Sequence, residues 1–362
     1  MSQIYLSYGG LITPLGTTVS ENFANMREGK SGVQKIKGSG FNKEDWPLGK
    51  METLTSNNRY RELLNLTCEK LIEQNGEQLF SDPRTLIILS STKADITDLP
   101  NDTFASTRQI LNERLNPASA PVIISNACIS GVLAINTASD YINAGKYDTV
   151  VVIGIDVLTD FIIYGFQSLF ALSAEPSQPF DKNRKGICIG EASGTIIVSK
   201  HKPENLFHVE YLGGSSSNDA NHISGPSRTG EGLYRSVNKT LQRSGINSFD
   251  IDFISAHGTG TLFNDEMESI AFDRLGLNNV PMNSLKGYFG HTLGAAGVIE
   301  IISTMLMMEH GLLLRSIGFE ETGTSKQINV LKENIQKNTK VALKTASGFG
   351  GGNASLIIKK SV

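Results

Sequence analysis

Cys128 lies in PVIISNACISGVLAI, where a β-branched run breaks into small residues and an apolar helical pattern begins. A thiol at the N-terminal end of a helix meets free backbone N–H groups and the positive end of the macrodipole. These stabilise a thiolate and can hold an oxyanion. Two histidines downstream are also set among small residues, His257 in HGTGT and His291 in GHTLGAAG. One sulfur and two imidazoles in such settings are the parts of an acyl-transfer site. The other cysteines read as small hydrophobes: Cys68 falls on the apolar face of a helical pattern, and Cys188 sits between Ile187 and Ile189. His201, His208, His222 and His310 have no comparable surroundings and read as surface or core residues.

The elements that must position these residues follow from the hydrophobic pattern. β-rich runs occur at 85–91, 121–125, 149–156 and 194–200, then at 251–257, 340–347 and 354–360. Helical periodicity marks Arg61–Gln74, Gly131–Gly145, Ser236–Ser244 and Ala295–His310. Strands alternating with helices predict an α/β protein whose central sheets are mostly parallel and covered on both faces. The order of elements is similar in the two halves, without a residue-level repeat. A polar stretch near His201–Leu206 divides the chain into residues 1–203 and 204–362. The nucleophile falls in the first half and both histidines in the second, so a shared site must form where the halves pack.

Composition limits the function classes. With 362 residues the chain can bury a sizeable core. A net charge of −3 gives no global attraction to nucleic acid. Three cysteines without a CxxC pair fit a reducing, cytoplasmic compartment. The start, MSQIYLSYGGLITPLG, lacks the basic and apolar regions of a signal peptide. No apolar run approaches the ~18 residues of a membrane span, so a soluble protein is expected. The 36 glycines cluster around 186–194, 213–232, 258–260, 287–297 and 348–352, each cluster bracketed by apolar runs. Such clusters mark turns and close backbone approaches rather than flexible linkers. The GFGGG loop at 348–352 is a poor phosphate cradle, because a strand rather than a helix follows it.

Six segments occur in series: TPLG, NACISG, PFDKNRKGICIGEASG, AHGTGTLFNDEMES, NSLKGYFGHTLGAAGVIE and ASGFGGGNASLII. Together they resemble the elongating β-ketoacyl-acyl carrier protein synthases, the ketosynthases of the thiolase fold, over nearly the whole chain. The resemblance implies duplicated α/β halves in an α-β-α-β-α layering. It implies that Cys128 takes up an acyl group from a thioester, and that neutral His257 and His291 stabilise the enolate formed when a malonyl thioester loses carbon dioxide. Lys286, with Glu300 as its ion partner, tunes the histidine site. Cys128 and Phe349 supply the oxyanion N–H groups, and Gly348 and Gly350 let the Phe349 loop move. Thr259 and Thr261 match the threonines that bind the phosphopantetheine arm, while Asp265 and Glu268 match structural acidic positions. Arg184, beside Lys182 and Lys185, matches a carrier-contacting position, with Arg59 and Arg61 as further candidates. Phe166 falls in the segment that forms the acyl pocket; Phe161 and Phe170 read as core.

The resemblance implies an acyl carrier protein as partner and a homodimer or a heterodimer with a ketosynthase-like subunit. It implies no metal and no organic cofactor beyond the phosphopantetheine on the substrates; nucleic acid and membrane are not expected partners. The chain departs from the family in a shortened cap region, residues 30–120, in a compressed segment Ser173–Phe180, and in Ser347 where many relatives carry phenylalanine. These departures point to a specialised synthase of a polyene or polyketide pathway. The rival readings are a chain-length-factor-like partner subunit and a cysteine-dependent acyltransferase or hydrolase. Partner subunits generally lose the cysteine, and an acyltransferase needs only one of the two imidazole donors.

Overall fold

The computed structural model describes residues 3–219 and 225–361; His222 lies outside the described residues. Ten strands form one sheet: β1 (Tyr5–Ile12), β2 (Thr85–Ser90), β3 (Val122–Ile124), β4 (Thr149–Asp156) and β5 (Ala192–Ser199) from the first half, then β6 (His208–Asn218), β7 (Phe253–Ser255), β8 (Met282–Asn283), β9 (Val341–Ser347) and β10 (Gly352–Lys360) from the second. Their order is β8-β7-β9-β10-β6-β1-β5-β4-β2-β3. Numbered within its half, each set of five therefore follows the same path, and β1 and β6 join the two sets edge to edge.

Period-two alternation explains how the layers form. In β2 and β4, Leu86, Ile88, Val150 and Val152 turn to the central layer, whereas Ile87, Leu89, Val151 and Ile153 turn outward. α1 (Val19–Arg27) packs against β1, and the outward set packs under α2 (Arg59–Asn75) and α3 (Ala105–Leu115) through Leu63, Leu64, Cys68, Leu71 and Leu111. In the second half, Ile254, Leu343 and Ile357 meet Val237 of α6 (Glu231–Ser244) and Met267 and Phe272 of α7 (Leu262–Arg274). Two helices fill the centre: α4 (Ser130–Asn143) and α8 (Ala296–His310). Both touch strands of both halves, which completes the α-β-α-β-α layering. They cross where side chains are missing: a Cβ on Gly131 would lie 2.8 Å from Val298 N, and one on Gly297 would lie 2.5 Å from Val132 N.

The structure corrects three expectations. The sheet is mixed rather than mostly parallel: β3-β2-β4 and β8-β7-β9 run parallel, but β1, β5, β6 and β10 make antiparallel pairs. One of these pairs has a local cause, since the GFGGG loop is a hairpin connection that sends β10 back along β9. The segment Leu293–His310 is long and apolar enough for a membrane span, yet 89% of it is buried as the central helix. A helix apolar on all sides is expected in the middle layer of a large fold. Finally, Gly213 and Gly214 are not a turn but part of β6, where small residues admit Ser244 and Asn136 close to the strand.

Candidate active site

Cys128 occupies the turn from β3 into α4, and His291 the turn from β8 toward α8. The two turns hold matching places in the duplicated halves, so the crossing of α4 and α8 brings them together. The cysteine turn is tight. Ala127 sits at φ +43, a left-handed conformation that costs a non-glycine residue ~1–3 kcal/mol. Ser130 Oγ closes the turn, accepting the Asn126 N–H and donating to the Ala127 carbonyl, both at 2.7 Å. His257 follows β7 and completes the group: the Cys128 Sγ and a nitrogen of each imidazole lie within 4.8 Å of one another. The imidazoles meet edge to face with centroids 5.1 Å apart.

Burial sets the protonation of all three. It pushes the Cys128 thiol up to about 12, although the Lys286 ammonium opposes the shift. The thiolate expected from the helix terminus is therefore corrected to a thiol, because desolvation outweighs the nearby positive groups. Burial first, then the ammoniums of Lys286 and Lys344, hold His257 and His291 well below the usual imidazole range, so both are neutral at physiological pH. The Leu293 N–H donates to Nδ1 of His291 at 3.3 Å. That fixes its proton on Nε2, which is buried without a partner.

Charged groups behind the imidazoles hold the backbone. Lys286 Nζ lies 2.7 Å from Glu300 Oε1 and also donates to the His257 carbonyl. Glu268 accepts the N–H groups of His257 and Gly258, at 2.9 and 2.6 Å. Asp265 accepts those of Thr259 and Phe180, at 2.9 and 2.7 Å. Asp156, at the end of β4, accepts the Gly294 N–H at 2.8 Å and pairs with buried Lys93, tying the His291 turn to the other half.

These groups face a cavity of about 470 Å³ lined by Cys128, both histidines, Thr259, Thr261 and the loop after β9. The two threonine hydroxyls are 2.8 Å apart. Gly348 rides directly on the nucleophile, since a Cβ there would lie 3.1 Å from the Cys128 N. Gly350 has φ +85, beyond comfortable reach of other residues, and Phe349 is half-exposed at the cavity. Its ring stacks on Phe166, centroids 5.4 Å apart, from α5 (Asp160–Ser168). Ser347 also lines the cavity and donates to Asn353 at 2.8 Å. Neither Phe161 nor Phe170 is a core residue: Phe161 is 62% exposed, and Phe170 lines the mouth and is 95% exposed.

The expected carrier contacts need correction. Arg184 is buried, donating to the Asp181 and Gly323 carbonyls at 2.8 Å with Asp265 3.8 Å away. Arg59 is spent on fully buried Glu191 and on the carbonyls of Met51 and Leu54. Arg61 pairs with Asp95 and Asp98. Lys182 is exposed but paired with Glu321. Lys185 is an exposed cation at the mouth. Sequence reading missed Lys344, Asp156 and Glu191. A signal existed for Lys344, because a lysine inside a strand covered on both faces requires a buried anion.

The sulfur and two imidazole nitrogens have ligand types that suit a soft divalent cation. Two ammoniums directly behind the imidazoles oppose that charge, however, and the arrangement suits an anionic intermediate better.

Comparison with known proteins agrees with this geometry. The family profile described as "Beta-ketoacyl synthase, N-terminal domain" matches residues 104–204, and "Beta-ketoacyl synthase, C-terminal domain" matches residues 208–320. The chain is 33% identical over 253 residues to 3-oxoacyl-[acyl-carrier-protein] synthase 2 of Rhizobium meliloti, covering 66% of this chain and 60% of that one. It is 27% identical to 3-oxoacyl-[acyl-carrier-protein] synthase 1 of Escherichia coli, over 97% of each chain. That alignment spans 399 positions against 362 residues here, so the relative carries residues this chain lacks. Among solved structures, a chain of the ketosynthase–chain length factor complex from Xenorhabdus doucetiae superposes with a TM-score of 0.90 at 26% identity, over 99% of this chain and 98% of that one.

Proposed function

The chain belongs to the β-ketoacyl synthase family, and from that premise we propose how its own residues carry out 3-oxoacyl-[acyl carrier protein] synthesis. The Cys128 sulfur attacks the thioester of an acyl carrier protein; its proton leaves with the departing phosphopantetheine thiol, and the acyl group stays on the cysteine. The developing oxyanion is held by the N–H groups of Cys128 and Phe349. A malonyl carrier then enters along Thr259 and Thr261. The bond to its carboxylate breaks, carbon dioxide departs, and the electron pair forms an enolate whose oxygen faces His257 and His291. Neutral imidazoles serve here because each donates an N–H without first being discharged. The enolate carbon attacks the acyl carbonyl, the Cys128 thiolate is expelled and takes up a proton, and a 3-oxoacyl carrier leaves. No metal enters this scheme, and the phosphopantetheine arrives on the substrate.

The observation that carries the reading is the grouping of one thiol and two neutral imidazoles within 4.8 Å, backed by the Lys286–Glu300 pair. A chain length factor does not need all three groups, and a simple acyltransferase does not need two imidazole donors.

The finer assignments are also proposals. The carrier docks at the mouth through Lys185, with Lys182 beside it, and its acidic surface is drawn there by charge. Phe166 lines the acyl pocket, and Phe349, with Gly348 and Gly350, gates it. The protein works as a dimer with itself or with a ketosynthase-like chain length factor, covering the short edge strand β3. Three buried, unpaired cysteines fit a cytoplasmic setting. The reduced cap and Ser347 fit a polyene or polyketide pathway. Intact mass spectrometry with acyl carriers graded in length and unsaturation tests this assignment. A mass gain confined to Cys128 and favouring unsaturated or oxidised chains supports it, and a plain preference for long saturated chains overturns the pathway.

A further inference from the structure

Lys344 lies in the middle of β9, its side chain fully buried between sheet and central helix. Its Nζ is 2.5 Å from Glu300 Oε2 and donates to the carbonyls of Ser255 and Ala256, at 3.2 and 3.3 Å. Lys286 takes the other oxygen of the same carboxylate and donates to the next carbonyl, that of His257. Three consecutive carbonyls, ending at the imidazole-bearing residue, are thus gripped by two ammoniums anchored on one glutamate. Lys344 and Ser255 are also paired in register across β9 and β7.

The charges in the cluster add to the geometry. A buried ammonium is costly unless it is paired, yet here two share a single carboxylate. The other groups facing the imidazoles have partners of their own. From α7, Glu268 accepts the N–H groups of His257 and Gly258 and the Thr345 hydroxyl, and Asp265 accepts the N–H groups of Thr259 and Phe180. From the start of α4 comes the un-ionised Cys128. From the end of β4, Asp156 already has Lys93 as its own cation.

We propose that Lys344 is a positioning residue for the carbon dioxide-releasing half of the reaction. It fixes the backbone that carries His257, and it sets a second ammonium beside that of Lys286 behind the imidazoles, so that the enolate forms close to positive charge. The inference rests on the condensing function given above. Acylation of Cys128 depends on the oxyanion N–H groups rather than on this cluster, so the two half-reactions should separate.

The test uses the full chain with Lys344→Met, which keeps length and removes charge, and Lys344→Arg, which keeps charge. Cys128 acylation is followed by intact mass, carbon dioxide release from malonyl carrier by radiolabel, and both across pH. Lys344→Met is expected to release carbon dioxide about 10- to 100-fold more slowly, as for one or two logarithmic units of lost electrostatic stabilisation, while acylation changes less than threefold. With one cation gone, the imidazoles protonate more easily, so the acid limb of carbon dioxide release moves to higher pH; Lys344→Arg leaves that limb in place. Equal losses in both half-reactions with an unmoved limb would mean packing alone and overturn the proposal, as would an unchanged Lys344→Met enzyme. If the methionine variant does not fold, Lys344→Gln, which retains a donor for the two carbonyls, makes the same comparison. A wild-type protein that is acylated but releases no carbon dioxide would overturn the condensing function instead.

Discussion

At the level of single residues, the site works by keeping its groups uncharged until chemistry begins. Each imidazole can donate an N–H while neutral, whereas protonation would set a cation beside Lys286 and Lys344. Both are held well below the usual imidazole range by burial and then by those ammoniums. Carbon dioxide release should therefore stay level as pH falls through 6.5, the ordinary histidine value, and decline only at distinctly lower pH. A profile that breaks near 6.5 would show that the rings are not desolvated as the structure has them. His257→Ala and His291→Ala should each lower condensation by about 10²–10³-fold, the usual effect of one missing oxyanion donor, while Cys128 still takes up its acyl group. At the mouth, Lys185→Glu should raise KM for the carrier with kcat little changed, and the difference should shrink as salt is added; an equal effect on kcat would argue against a docking role.

At the level of elements, the central helices decide whether the site exists. Because α4 and α8 touch at Gly131 and Gly297, a methyl group on either glycine collides with the backbone of the other helix. Gly297→Ala should lower stability by about 1–3 kcal/mol in denaturant titration and separate Cys128 from His291, reducing condensation; a variant as stable as the parent would mean that the helices have slack. The elements that make this crossing were readable in the sequence. Strands 149–156 and 341–347 and helices 130–143 and 296–310 announce themselves by continuous apolar character and period. So do Cys128, His257 and His291, each marked by small neighbours. The edge-joining strands were harder. β6 carries Gly213, Gly214 and three serines, a turn-like composition that makes sense only once Asn136 and Ser244 are seen pressing on it. The basic residues were hardest of all. Arg184 and Arg59 look like surface cations in one dimension, and only tertiary packing gives them Asp181, Gly323 and Glu191. Lys344 is the opposite case: it went unremarked within the run 340–347, although a lysine in a strand covered on both faces calls for a buried anion.

At the level of the whole molecule, duplication explains the division of labour. Two halves with one strand order present two equivalent turns to each other, and one turn bears the nucleophile while the other bears a proton donor. The apolar rim formed by Leu169, Phe170, Leu262 and Phe263, all exposed at the cavity mouth, leaves the pocket open on one side. A carrier bound at the mouth would close it, while a second ketosynthase-like subunit would cover β3, and native mass spectrometry should find twice the 39.2 kDa chain mass or a one-to-one complex; a monomer that condenses at full rate would contradict that pairing. The central claim is that both halves act on one bound thioester to make a carbon–carbon bond. The most direct measurement mixes the protein, an acyl carrier and malonyl carrier labelled in its free carboxylate, and counts label released against 3-oxoacyl carrier formed. One carbon dioxide for each two-carbon extension, abolished by Cys128→Ala, is the predicted result; acyl-Cys128 that accumulates while the label stays on the carrier would contradict it.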